Sequence, residues 1–134
     1  LKLLAIIARE YKISRRTTEE EQTIERYRDN ILDAIDYIDE NYSQKLMLED
    51  VCKVSAMSQS YFCYIFRSLT GKTFTKYLSD LRIKKAMSLL TETNMSVSEI
   101  CFAVGFNDVA YFCRIFKKDV GTSPGEYRRI IRQT

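Results

Sequence analysis

The sequence predicts an all-α chain in which one two-helix unit is used twice. Three observations carry this. Tyr61-Phe62-Cys63-Tyr64-Ile65-Phe66 returns fifty residues later as Tyr111-Phe112-Cys113-Arg114-Ile115-Phe116, and Gly71 and Tyr77 are answered by Gly121 and Tyr127. A repeat of this kind marks one supersecondary unit employed twice. Apolar residues recur at helical spacing, and no run of period-two alternation stands out. The single proline and the four glycines of the 134 residues sit near expected turns.

The second copy, 96–121, is the clearer. Ser96 followed by Glu99 forms a capping box that starts a helix with Val97, Ile100, Cys101 and Val104 on one face. Gly105 supplies the positive φ of a tight turn. Asn107 is expected to cap the next helix, which runs over Asp108–Val120 to Gly121 as its C′ residue. Val109, Phe112, Cys113 and Phe116 point one way; Arg114, Lys117 and Lys118 lie largely off that stripe. Two short helices about a glycine turn, the second cationic, form a helix-turn-helix pattern.

The first copy spans 46–71. Leu48-Glu49-Asp50-Val51-Cys52 opens it, with Met47 where a hydroxyl cap would hold the helix start more firmly. Ser58 is expected to cap the second helix, Gln59–Leu69. Tyr61, Phe62, Ile65 and Phe66 are expected in the core, with Gln59, Ser60, Tyr64 and Arg67 outside. By its register with Tyr61, Tyr111 is also expected in the core.

Between the copies, 73–91 reads as one connecting helix, capped by Thr73, with a stripe of Phe74, Tyr77, Leu78, Leu81, Met87 and Leu90. Eighteen residues of helix span roughly 27 Å. A final helix over 123–133 starts at Ser123 with Pro124 first and Glu126 closing a capping box. At the other end, Thr18 with Glu21 starts a helix to about Glu40, whose stripe Ile24, Tyr27, Ile31, Ile35, Ile38 is read as core for the first unit. Residues 1–17 form a separate segment: a short helix over Leu1–Tyr11, then a polar linker. That helix is either the tail of a preceding sensor domain or a dimer contact. The chain does not begin with Met and is read as a piece of a longer protein, with 18–134 as its folded module.

The run Gly105-Phe106, Tyr111-Phe112, Phe116-Lys117 and Gly121-Thr122-Ser123-Pro124-Gly125-Glu126-Tyr127-Arg128 resembles the DNA-binding domain of the AraC family of bacterial transcription regulators. The resemblance covers roughly 28–134. It implies two helix-turn-helix subdomains joined by a long connecting helix, homeodomain-like, with the second helix of each unit entering successive major grooves of duplex DNA. It implies promoter or operator DNA as partner, RNA polymerase beside it, a cytoplasmic location, and no cofactor.

The charge distribution agrees with a polyanionic partner. Residues 1–44 hold seven Lys/Arg against ten Asp/Glu, net −3; residues 45–134 hold fourteen against eight, net +6. The basic part is the part with the repeat. Base readout is expected from Gln59, Ser60, Tyr64, Val109, Ala110 and Arg114, with Arg114 able to take guanine O6 and N7 together. The resemblance often places Arg where Tyr64 stands, and tyrosine lacks that two-pronged contact. Phosphate contacts are expected from Ser58, Arg67, Lys72, Arg82, Lys84, Asn107, Lys117, Lys118 and Arg128. Arg128 has a structural role as its alternative. Because grooves repeat at about 34 Å, units held closer by the connecting helix would bend the duplex.

Other classes fare worse. The chain has no histidine, no phosphate-cradling glycine loop and no Cys-x-x-Cys pair, so neither a catalytic constellation nor a zinc site stands out. Cys52, Cys63, Cys101 and Cys113 are expected as small buried hydrophobes. No apolar stretch approaches the length of a membrane span. A protein-interaction role for the stripes at Leu3–Ala8 and Ile24–Ile38, giving a homodimer, is compatible with DNA binding.

Overall fold

The computed structural model describes residues 18–133. The expected Leu1–Tyr11 helix and its linker lie outside the described residues. Eight helices follow in order: α1 (18–26), α2 (Arg28–Asn41), α3 (Leu48–Ser55), α4 (Gln59–Thr70), α5 (Phe74–Glu92), α6 (Val97–Ala103), α7 (Val109–Val120) and α8 (Pro124–Gln133). The described residues form no strand.

Two cores result. In the first, Ile31, Ala34 and Ile38 of α2 meet Val51 and Cys52 of α3 and Phe62, Ile65 and Phe66 of α4. In the second, Ile100, Cys101 and Val104 meet Phe106, Phe112 and Phe116. The four phenylalanines at equivalent repeat positions (62, 66, 112 and 116) are fully buried. Each stabilises by about 1.5–3 kcal/mol relative to exposure. Within each unit the rings pair, Phe62 on Phe66 at 5.2 Å and Phe112 on Phe116 at 5.9 Å between centroids.

The helix punctuation is local and mostly as expected. Ser58, Thr73 and Ser96 accept from the amides of Tyr61, Lys76 and Glu99 at 3.4, 3.2 and 3.1 Å. The Ser96 box closes with the Glu99 carboxylate on the Ser96 amide at 3.2 Å. The last box is only half made: Ser123 Oγ accepts from Glu126, while the Glu126 carboxylate turns to Arg129. Met47 offers no hydroxyl, but the Asp50 carboxylate accepts its amide at 3.0 Å, which secures the start of α3 from the other side. Gly71 and Gly121 end α4 and α7 with φ of 76° and 100°.

The structure corrects several expectations. The long helix from Thr18 is already formed at residue 18 and breaks at Tyr27, whose amide is shared between the Thr23 and Ile24 carbonyls. The Tyr27 ring packs edge-on to Tyr61 at 5.2 Å. Asn107 does not cap α7; Asp108 does, accepting the Tyr111 amide at 3.0 Å, so the helix begins at Val109. Tyr61 and Tyr111 are not core residues but remain 39% and 42% exposed. Cys52 and Cys101 are buried, whereas Cys63 is exposed and Cys113 half-buried. Burial pushes the Cys52 and Cys101 thiols above their ordinary range, helped by the nearby Cys63 and Cys113.

The connecting helix does not bury one stripe. Its first half packs Phe74, Tyr77, Leu78 and Leu81 on the first core; its second half gives Ile83, Ala86 and Leu90 to the second, with Met87 alongside. At about 100° per residue these two sets lie on roughly opposite sides of the helix. This is why Ile83 and Ala86 escape a single-stripe reading: α5 is buried on one side, then on the other.

Candidate nucleic-acid interface

The repeat places equivalent residues on equivalent surfaces. On α4, Gln59, Ser60, Tyr64 and Arg67 are all exposed. On α7, Ala110, Arg114, Lys117 and Lys118 are exposed, while Val109 is half-buried against the second core. Positions 60, 64 and 67 follow i, i+4, i+7 spacing and share a helix face, as do 110, 114 and 117. Each unit therefore presents one outward ridge from the helix that its phenylalanines anchor. Arg67, Arg114, Lys117 and Lys118 make no ion pair among the described residues.

Arg114 is held from below. Its guanidinium lies 5.4 Å from the Tyr111 ring centroid, a cation–π contact. Tyr111 is thus part of this surface, as Tyr61 is of the other. The signal for this was available as Tyr-x-x-Arg spacing, which puts the pair on neighbouring turns. Phe102, at 56% exposed, is a further large apolar group that periodicity did not single out. It lines a cleft of about 500 Å³ between the units together with Gln44, Lys45, Ser79, Asn107 and Tyr111.

The N-termini of the two helices differ. Ser58 opens α4 with a neutral hydroxyl, whereas Asp108 opens α7 with a carboxylate that occupies the Tyr111 amide. An anion approaching α7 along its axis meets that charge before the helix dipole.

Other expected phosphate contacts are otherwise engaged. Arg82 is half-buried and bound to the backbone: Nε donates to the Tyr42 carbonyl at 2.8 Å and a terminal nitrogen to the Gln44 carbonyl at 2.9 Å. Burial pushes its guanidinium below its ordinary value. Arg128 donates to the carbonyls of Leu90 at 3.1 Å and Thr93 at 3.2 Å, and Arg132 joins it at Thr93. Arg128 and Arg132, two of the three arginines of α8, thereby satisfy carbonyls left open where α5 ends. Lys72 pairs with Asp80 at 2.8 Å, and Lys76 bridges Asp80 at 3.0 Å and Asp119 at 3.5 Å. Burial acts to raise the Asp80 carboxyl, but hydrogen bonds from Lys72 and Lys76 outweigh it and hold the group below its ordinary value. Lys84 is exposed on α5 and borders a groove with Lys72 and Asp119.

Among the described residues, no group of three His, Cys, Asp or Glu side chains is placed to hold a metal ion. No helix there is long and apolar enough to cross a membrane.

Residues 51–130 match a family model described as a helix-turn-helix domain. The uncharacterized HTH-type transcriptional regulator YijO of Escherichia coli K12 is 39% identical over 94 residues, which are 70% of this chain and 33% of that protein. The MmsAB operon regulatory protein of Pseudomonas aeruginosa is 34% identical over 97 residues, 72% of this chain and 32% of that one. The chain thus spans about a third of the length of these curated relatives. Among solved structures, the DNA-binding domain of AdpA in complex with a target DNA superposes with a TM-score of 0.72 at 28% identity, covering 75% of this chain and 90% of that one. The C-terminal domain of AraT, a response regulator from Geobacillus stearothermophilus, gives 0.72 at 34% identity, covering 75% and 84%.

Proposed function

The chain belongs to the AraC-type helix-turn-helix family of DNA-binding transcription regulators, and we propose that α4 and α7 are its two reading helices, entering successive major grooves on one side of the duplex. The observation that carries this reading is the repeated outward ridge: 60, 64, 67 on one helix and 110, 114, 117 on the other, each backed by two buried phenylalanines. Gln59, Ser60 and Tyr64 read bases in one half-motif. Ala110 and Arg114 read the other, with Val109 reaching it only by its exposed edge. Arg114 takes guanine O6 and N7, a contact worth about 1–3 kcal/mol of discrimination.

Ser58, Arg67, Lys84, Asn107, Lys117 and Lys118 position the domain on phosphates. Arg82 and Arg128 leave this set because backbone carbonyls engage their guanidinium groups, and Lys72 leaves it because Asp80 holds its ammonium. The first half-motif differs in kind from the second: Tyr64 contacts a thymine methyl or a phosphate, since it cannot fork to guanine. The protein acts as a binder and not an enzyme, working in the cytoplasm with RNA polymerase as its partner at the promoter. A preceding domain or the 1–17 segment supplies any homodimer contact.

Selection of duplexes from a random pool tests the reading. The expected product is an asymmetric site with two short motifs about one helical turn apart. Affinity falls with salt at a log–log slope of roughly −0.9 per phosphate neutralised. Arg114→Ala relaxes preference in one motif only. Enrichment of no sequence at all would refute the proposal.

A further inference from the structure

We infer that Arg82 is a positioning residue that fixes the distance between the two half-motifs the protein accepts, by clamping the loop of the first unit to the turn of the second. The inference rests on the reading of α4 and α7 as the two DNA-reading helices. Arg82 sits on α5 between Leu81, packed on the first core, and Ile83, buried in the second. It therefore marks the point where the helix passes from one unit to the other.

From there its guanidinium reaches three ways. Two donors take the carbonyls of Tyr42 and Gln44, in the loop leading into α3. The face of the group lies 5.7 Å from the ring centroid of Phe106, in the turn before α7. Gly105 packs so closely that an added Cβ would stand 2.7 Å from Arg82 Nε. Tyr42 itself packs against both cores. No carboxylate pairs with Arg82 among the described residues, so its charge is answered by carbonyl oxygens and a ring. Only a planar fork satisfies two carbonyls and stacks at once; an ammonium or a thioether does not.

The ion pair that runs from the first half of α5 to the second unit, Lys76 to Asp119, is an exposed one at 3.5 Å. Such pairs hold weakly and yield to salt. The clamp at Arg82 is the half-buried one. A clamped pair of reading helices meets one spacing, because each added base pair moves a half-motif by about 3.4 Å and turns it by roughly 35°.

The test uses the full chain and duplexes bearing the two selected motifs with the spacer changed by one or two base pairs, beside duplexes bearing one motif. The parent is expected to lose at least about 10-fold in affinity for a one-base-pair change. Arg82→Met, which keeps the length and removes the donors, is expected to lose less than about 3-fold across the series while binding single motifs within about 2-fold of the parent. A profile as sharp as the parent's overturns the inference, as does single-motif affinity falling in step with two-motif affinity. If Arg82→Met does not fold, Arg82→Lys carries the same comparison; unfolding of both reduces Arg82 to a stability residue and also overturns it. A parent that discriminates no sequence instead overturns the proposed reading of α4 and α7, a separate result.

Discussion

A Cβ on Gly105 would stand 2.6 Å from the carbonyl oxygen of Tyr42, sixty-three residues earlier in the chain. That oxygen is itself held by Arg82, so it has no easy retreat. Gly105 also has φ of 108°, which L side chains rarely adopt. Gly105→Ala is expected to destabilise the domain by about 2–4 kcal/mol, from backbone strain and overpacking together. Gly121→Ala, at φ of 100° but with nothing within 4 Å, is expected to cost only about 1–2 kcal/mol. Urea unfolding midpoints compare the two. Equal losses would mean that the contact with Tyr42 adds nothing to the strain.

The turn of the first unit does the same work without glycine. Ala56 adopts φ of 57°, the one positive-φ non-glycine residue among those described. Relief of that strain favours glycine, while the added freedom of the unfolded chain opposes it. Ala56→Gly is therefore expected to stabilise slightly, by about 0.5 kcal/mol, and Ala56→Val to destabilise by more than about 1 kcal/mol. The order of the three melting temperatures checks this; a Val variant as stable as the parent would show that the left-handed turn is not enforced.

Asp108 serves helix stability and opposes a polyanion at the same atoms. Asp108→Asn retains a cap, so stability is expected to change by less than about 0.5 kcal/mol. With one negative charge removed from the α7 N-terminus, DNA affinity at low salt is expected to rise about 3- to 5-fold, near the 1 kcal/mol of one charge pair in water. Filter binding at two salt concentrations measures it, and the gain should shrink at the higher one. Unchanged affinity would place this terminus away from phosphate.

The Asp80 carboxyl is held below its ordinary value of 3.8 by Lys72 and Lys76. A depressed folded-state pKa contributes stability that is present above the unfolded value and is lost as pH falls through the folded one. Asp80→Asn is accordingly expected to be less stable than the parent at pH 7, by under about 1 kcal/mol as for partly exposed pairs. The difference should close below pH of about 3.8, as the parent's carboxylate protonates. Denaturation curves across that range test it; a gap that persists in acid would assign the loss to packing instead.

Most of the helix ends were legible because their causes are short-range. A hydroxyl at Ser58, Thr73 or Ser96 meets an amide three residues on, and Gly71 or Gly121 takes a backbone conformation of its own. The misreadings have the same origin. Asn107 and Asp108 are adjacent, both able to cap, and only the path of the turn from Gly105 selects Asp108. Met47 looked like a weak start because the Asp50 carboxylate, and not the cap side chain, makes the bond. Tyr61 and Tyr111 share the apolar register of their helices, yet about 100° of rotation separates the buried phenylalanine beside each from the rim where the tyrosine lies.

What the sequence by itself determined is the repeated two-helix unit, its four buried phenylalanines, the caps at Ser58, Thr73 and Ser96 and the outward ridges of α4 and α7, because periodicity and capping act within a few residues. What only the tertiary structure decided is how the cations are divided. Arg82 and Arg128 carry the same charge as Arg67 and Arg114, and nothing in their local spacing separates them. Their partners are carbonyls 40 and 38 positions away. A cation is available to an external anion only when the fold brings no oxygen to it first, and that depends on how distant segments pack.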